Sequence, residues 1–493
     1  MAMSQQSRFL VFVLTIALTA CGGGGGSGST SPGAPAPPPT VIAAQYQGTW
    51  ISEAYGRALE IGPSELRLLD YTSDFCLSVI SESDVDTEDI ETLFRLSEGE
   101  LEWFAEAGTA TFGAPGTRFM ASAGLPASCQ QGFDPVAGDP GYERDPQREL
   151  MLMAQLLEEY SVYPALRGVD VRGLYQDIAA TLEPQASDKE LAEALFELVS
   201  PYGDIHTTVD TSVGLVKVLN KSSLVDRLFT EWRSLEGVTP PLSNAQVNSA
   251  NAYIEEQLEL DRLITLSYAD EGADVRRAAN DVVTWFTADG IGYLAIDSMI
   301  GFGDSQNNAD DLQQLDQSLD RAFTDLQDVE TLIVDVRRNG GGRDFLSLAL
   351  ASRFTANEAL AYTKQARLGD SRSALREVYI EPRGSIQYLG PVFLLTSAQT
   401  ASGAEVFTLA MRELPQVTLV GEATQGGLSD QLDKRLTNGW SASVGNEFYL
   451  SVQGEWFEGS GIPVDIEIPQ FSLEARLAGV DEAIEAIIEG LGE

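Results

Sequence analysis

A single histidine, His206, stands in this chain of 493 residues. Any mechanism that needs an imidazole base near neutral pH therefore has one candidate. Cysteine is almost as scarce: Cys21, Cys76 and Cys129 are the whole supply, and no zinc-ligand spacing exists among them. With one imidazole to add, a catalytic metal centre is not expected. Basic residues are outnumbered, 31 Lys plus Arg against 74 Asp plus Glu, for a net charge of −43. A surface of that sign repels phosphate backbones, which argues against nucleic acid as a partner. The acid is dispersed rather than gathered into a tail, and 43% of the residues are hydrophobic, so the chain reads as folded with a strongly solvated surface. No internal repeat is present, and the glycine turn at 335–342 lacks the G-x-G-x-x-G spacing of a dinucleotide fingerprint.

What is there begins with an export signal. Arg8 precedes the apolar stretch Phe9–Leu18, which is too short for a membrane-spanning helix and carries signal-peptide flanks. It ends in L-T-A-C (18–21), which resembles the bacterial lipoprotein cleavage box. That resemblance implies removal of residues 1–20 and lipidation of Cys21; an ordinary signal peptide with an incidental cysteine is the other reading. Residues 21–43 then form a tether, flexible where rich in glycine and serine and stiffer where rich in proline. No Asp follows Cys21, so an exported protein held by lipid in the outer membrane is expected. Cys76 and Cys129 could close a disulfide in an oxidising compartment, or remain two buried thiols.

Past the tether the texture divides the chain. Residues 44–140 hold short β-like pieces such as 48–51, 58–61 and 65–69, predicting a small β-rich domain. Asp145-Pro146 is a helix start, and Ser187 with Glu190 a capping box, so 145–280 reads as a mostly helical region. From 281 to 470 the pattern is α/β. Asp289-Gly290 predicts a two-residue hairpin between 282–286 and 291–296. Strands at 331–336, 391–396 and 417–420 alternate with helices at 308–326, 344–354 and after Ser402. That alternation predicts a largely parallel sheet with sites beyond the carboxyl ends of its strands. A C-terminal helix is expected in 471–493.

Three segments could carry chemistry. Ser402, in T-A-S-G-A-E (400–405), sits where a buried strand turns into a helix. A hydroxyl there can become a nucleophile beside a base, although Ser402 with Glu405 also fits a capping box. The turn D-V-R-R-N-G-G-G (335–342) can present backbone N–H groups to an oxyanion, or serve only as a tight strand–helix turn. His206 lies in G-D-I-H-T-T (203–208), in which Asp204 either orients the imidazole or closes an Asx turn. Asp335 and Arg337 read as a structural pair.

In this order, these pieces resemble the serine peptidase family of the tail-specific (C-terminal-processing) proteases and tricorn. The likeness extends to Gly421-Glu-Ala-Thr-Gln-Gly426, similar to that family's G-x-x-T-x-G, and to the E-G-x-G-x-x-P-D-like run Glu458–Asp465. The resemblance implies an α/β crotonase-like core with a helical cap, 281–470 being a peptidase core, and a peptide or protein substrate. It also implies Ser402 as nucleophile, Glu458 as a member of the charge network and no cofactor. Gly403 and Gly341 would supply the oxyanion amides. The tail-specific branch places a lysine base where this chain has Gly427, and the nearest lysine is Lys434. The tricorn-like branch uses a histidine from the cap, a role His206 fits, although Ile205 replaces the serine that tricorn carries before it. No segment reads as a PDZ module. A histidine base surrounded by this much negative charge is expected to titrate near pH 6 to 7.5. A catalytically silent peptide-binding lipoprotein and an ester hydrolase are the competing readings.

Overall fold

The computed structural model describes residues 41–104, 115–217, 224–239, 241–272, 274–305 and 307–490. The signal segment, Cys21 and Gly22–Thr40 lie outside the described residues. The N-terminal part is one antiparallel sheet of seven strands. Its spatial order is 76–83, 65–71, 57–61, 48–52, 117–122, 100–103 and 94–97. Alternating apolar residues place Trp50, Leu59, Leu68, Leu101 and Phe119 in one core, the period-2 signature of a sheet with one buried face. Cys76 and Cys129 are joined by a disulfide.

Helices follow at Pro146–Tyr160, Tyr163–Arg167, Val171–Ala179 and Asp188–Val199. The starts are those the sequence signals: Asp145 accepts from the N–H groups of Gln147 and Arg148, and Ser187 with Glu190 forms a reciprocal capping box. The next stretch departs from the expected helical run. Thr208–Thr211 and Gly214–Lys217 are strands, before helices resume at Leu224–Glu236 and Asn244–Leu266. The first of them pairs with Ser441–Gly445, far along the chain, through Thr208↔Ser443 and Val209↔Ala442. This long-range pairing overrides local tendency, and it ties the loop that carries His206 to the α/β region.

The central sheet has seven strands in the order 276–278, 283–288, 291–296, 332–335, 392–396, 417–421 and 466–467. The first two pairings are antiparallel, with Asp289 and Gly290 (φ 49° and 82°) making the tight hairpin. From Ile291–Ile296 onward all pairings are parallel. The strand Leu332–Asp335 is buried at every residue, as a strand covered on both faces must be. Beyond Phe471 there are two short helices, Leu473–Ala478 and Glu482–Ile488, where one is expected. Gly479 ends the first in a left-handed conformation and Asp481 caps the second.

Candidate active site

Ser402 sits at a strained corner. The chain leaves the strand Val392–Thr396, and Ser402 takes φ 53° and ψ −124° immediately before the helix Gly403–Met411. A side chain at positive φ costs energy unless its surroundings hold it, and such strain concentrates at functional sites. The holding group here is Glu405. Its fully buried carboxylate accepts from the N–H of Ser402 (3.1 Å), Gly426 (2.7 Å) and Gly427 (2.8 Å) and from Thr424 Oγ1 (2.6 Å). Thus the capping residue also binds the segment 424–427 to the corner. The Ser402 hydroxyl is left facing His206, with Oγ 3.2 Å from Nε2.

His206 is brought across 196 residues to that position. Asp204 Oδ1 accepts from the backbone N–H of His206 (2.8 Å) and Thr207 (2.5 Å), which makes it an Asx turn rather than an imidazole partner. On the far side the His206 carbonyl accepts from Ser443 Oγ, on the strand that pairs with Thr208–Thr211. The ring is 5% exposed, and burial pushes its pKa down to about 4, partly offset by the backbone of Ser429. Here the expectation of a value near or above 6 is corrected. Desolvation of the imidazolium outweighs the diffuse negative surface, whose field is screened by water.

Glu458 is buried, yet it bonds to neither Ser402 nor His206 among the described residues. It accepts from Tyr163 Oη and from the N–H groups of Leu428 (3.0 Å) and Ser429 (2.7 Å). Burial raises its carboxyl to about 8. Ser429, whose N–H it accepts, is the residue whose backbone also influences the His206 ring. Thr424, the threonine of the 421–426 motif, bonds to Glu405, whereas Ser429 and Ser443 are members of the site that sequence reading did not single out; isolated serines carry no spacing signal.

The glycine turn packs directly on the corner. A Cβ on Gly341 (φ 101°) would stand 2.6 Å from the Ala401 carbonyl oxygen and 2.7 Å from Ser402 Cβ, so only glycine fits. Its N–H, however, donates to Asn339 Oδ1 at 2.8 Å. This corrects its expected part as an oxyanion donor: Gly341 shapes the site by close approach. Gly403 is different, because it begins its helix and its N–H meets no intrahelical acceptor. Below the turn, Arg337 lies in a buried pair of carboxylates, Asp335 (2.7 Å) and Asp481 (2.8 Å), and stabilises the loop as a structural ion cluster.

Two positions bear on the lysine question. A Cβ on Gly427 would lie 2.7 Å from Cδ1 and Cγ1 of Ile205. The isoleucine preceding His206 therefore fills the space into which any side chain at 427 would grow. Lys434 is remote from this corner. Its ammonium donates to the carbonyls of Tyr55 and Gly56 (2.8 Å each) and to Asp70 (2.7 Å), clamping the N-terminal sheet to the strand Gln431–Arg435.

A hydroxyl at a strained strand-to-helix corner, an imidazole 3.2 Å away and a free helix-start amide form the arrangement found in serine hydrolases. Residues 290–468 match the model of peptidase family S41, and the chain carries a domain of that family. Relatives are C-terminal-processing and tail-specific proteases and tricorn. The chloroplastic C-terminal processing peptidase of Tetradesmus obliquus is 28% identical over 162 residues, 32% of this chain and 34% of that protein. The tricorn protease of Thermoplasma acidophilum is 27% identical over 176 residues, 35% of this chain and 15% of that protein. The matched region thus spans about a third of these relatives' length or less. The fold is mixed α/β and similar to solved structures of the family, preceded by a β-rich region. A crystal structure described as a candidate peptidase from Parabacteroides merdae superposes with a TM-score of 0.55 at 24% identity, covering 71% of this chain and 98% of that one. Mature CPAF gives 0.50 at 13% identity, covering 70% and 97%.

Proposed function

We propose that this protein is a lipid-anchored envelope serine peptidase that cleaves peptides or unfolded proteins, with Ser402 as nucleophile and His206 as general base. The observation that carries the reading is the 3.2 Å approach of Oγ to Nε2 at a residue held in a strained backbone conformation. His206 Nε2 takes the hydroxyl proton as Oγ attacks the scissile carbonyl carbon. The imidazolium returns that proton to the leaving amine as the C–N bond breaks, and water then hydrolyses the acyl-serine by the same route. The oxyanion is received by the N–H of Gly403 and by that of Gly342, whose N lies 3.1 Å from the Cβ position of Gly403. Glu458 positions the imidazole through Ser429. No cofactor enters these steps. We read the α/β region as a crotonase-like core and the helices of 146–199 as its cap, which delivers His206. Cys21 is the proposed lipid-bearing residue, holding the exported protein at the outer membrane.

A fluorophosphonate probe tests the centre: wild type should be labelled at Ser402, whereas Ser402→Ala and His206→Ala should not react. Absence of labelling in the wild type would favour a silent peptide-binding lipoprotein, and turnover of esters alone an ester hydrolase. In the same cells Cys21→Ser should move the protein to the soluble fraction.

A further inference from the structure

Ile205 is an apolar side chain that the packing leaves outside every apolar cluster. It is half-buried, and among the described residues it joins none of the hydrophobic cores. Its position is nevertheless fixed. Asp204 Oδ1 accepts from the N–H groups of His206 and Thr207, and Ser443 Oγ donates to the His206 carbonyl, so the short loop is held at several points. Cγ1 and Cδ1 of Ile205 lie against Gly427, each 2.7 Å from where a Cβ would stand there. The Gly427 N–H donates to Glu405 Oε2 at 2.8 Å, and the same oxygen accepts the N–H of Ser402 at 3.1 Å. The isoleucine is thus one glycine and one carboxylate away from the nucleophile's backbone, and Ser402 is itself only half-buried.

The chemistry at His206 says which part of a substrate meets this side chain. In acylation the leaving amine must come within hydrogen-bond reach of Nε2 to take up its proton. The substrate residue that carries this amine, the first after the scissile bond, is therefore held beside the imidazole. Its side chain branches from the carbon bonded to that nitrogen. Ile205 is one peptide unit from His206, about 3.8 Å between Cα atoms. An aliphatic side chain packed there would remove its own apolar surface and that of Ile205 from water. A polar one would lose water against carbon atoms that offer it no hydrogen bond.

We infer that Ile205 is a specificity-determining residue: it forms the apolar wall against which the substrate residue just after the scissile bond packs, and it selects a large aliphatic side chain there. The inference rests on the peptidase reading and specifies its substrate class. Gly427 is part of the same device, because only a residue without a side chain leaves room for the isoleucine.

Casein, an unfolded protein, serves as the first substrate, and mass spectrometry of the digest locates the main cleavage site. Synthetic peptides spanning that site then differ only at the residue after the scissile bond, leucine in one and serine in the other. The wild type should cleave the leucine peptide with a kcat/KM about 10-fold higher, the low end of what an apolar contact in a pocket contributes. Ile205→Ala should erase most of that preference. If that variant does not fold, Ile205→Thr, which keeps the branched shape but sets a hydroxyl on the wall, carries the same expectation. The rate of fluorophosphonate labelling at Ser402 is measured alongside, since the probe has no residue after a scissile bond. Equal losses on both peptides, in step with slower labelling, would overturn the inference and leave Ile205 as support for His206. A leucine preference that survives in the variants, or is absent from the wild type, would overturn it as well. If the wild type cleaves neither casein nor any peptide, the peptidase reading falls and the inference with it; every other outcome leaves that reading in place.

Discussion

The buried imidazole of His206 sets a quantitative expectation for the pH profile. Burial lowers its pKa from 6.5 to about 4. At 1.36 kcal/mol per pH unit, this amounts to roughly 3 kcal/mol against protonating the ring in the folded protein. Only the neutral ring can accept the Ser402 proton. With a substrate that does not titrate, kcat/KM should rise along one acid limb near pH 4 and stay level from about pH 5 to 7. The rate of fluorophosphonate labelling should trace the same limb. Because desolvation is the leading cause, raising the salt should move the limb little. A limb near pH 6.5, or one that shifts strongly with salt, would refute this account of the site. Stability gives a second sign to check. Between about pH 4 and 6.5 the unfolded chain binds a proton at His206 that the native state does not. The contribution of His206 therefore rises with pH through that window and is lost as pH falls. Asp204, raised from 3.8 to about 6, and Glu458, raised from 4.5 to about 8, act in the opposite sense. Their contributions are complete below the unfolded values and disappear as pH rises through the folded ones.

Two further expectations follow from the packing around the corner and beyond it. Gly341→Ala should lower turnover by at least about 10²-fold, because its methyl group would push apart the Ala401–Gly403 backbone on which Ser402 depends; a variant with wild-type kcat would show that the close approach is dispensable. Lys434→Ala should leave kcat per folded molecule unchanged but cost about 3 kcal/mol in denaturant titration, because Asp70 and two carbonyls lose a buried partner. Loss of turnover at unchanged stability would return Lys434 to the list of candidate bases.

Much of the α/β region was legible from local signals. Burial on both faces makes Leu332–Asp335 and Val392–Thr396 continuous apolar runs, and the Asp289-Gly290 hairpin needs positive φ at both positions. The helix starts at Asp145 and Ser187 follow from side chains that satisfy their own backbone. In each case the residues that determine the element are neighbours in sequence. The strand Thr208–Thr211 was not legible, because its partner Ser441–Gly445 lies more than 200 residues away and nothing in four residues announces it.

The same division runs through the site. From sequence came Ser402 and His206 as candidates, the first through the resemblance of its strand-to-helix segment T-A-S-G-A-E and the second as the sole imidazole. Tertiary structure decided their 3.2 Å separation, the low pKa of the ring, and the bonding of Gly341 to Asn339. It also placed Ile205 over Gly427 and carried Lys434 away to the N-terminal sheet. Residue type specifies what a group can do; desolvation and hydrogen-bond partners, which depend on every segment packed around it, specify what it does.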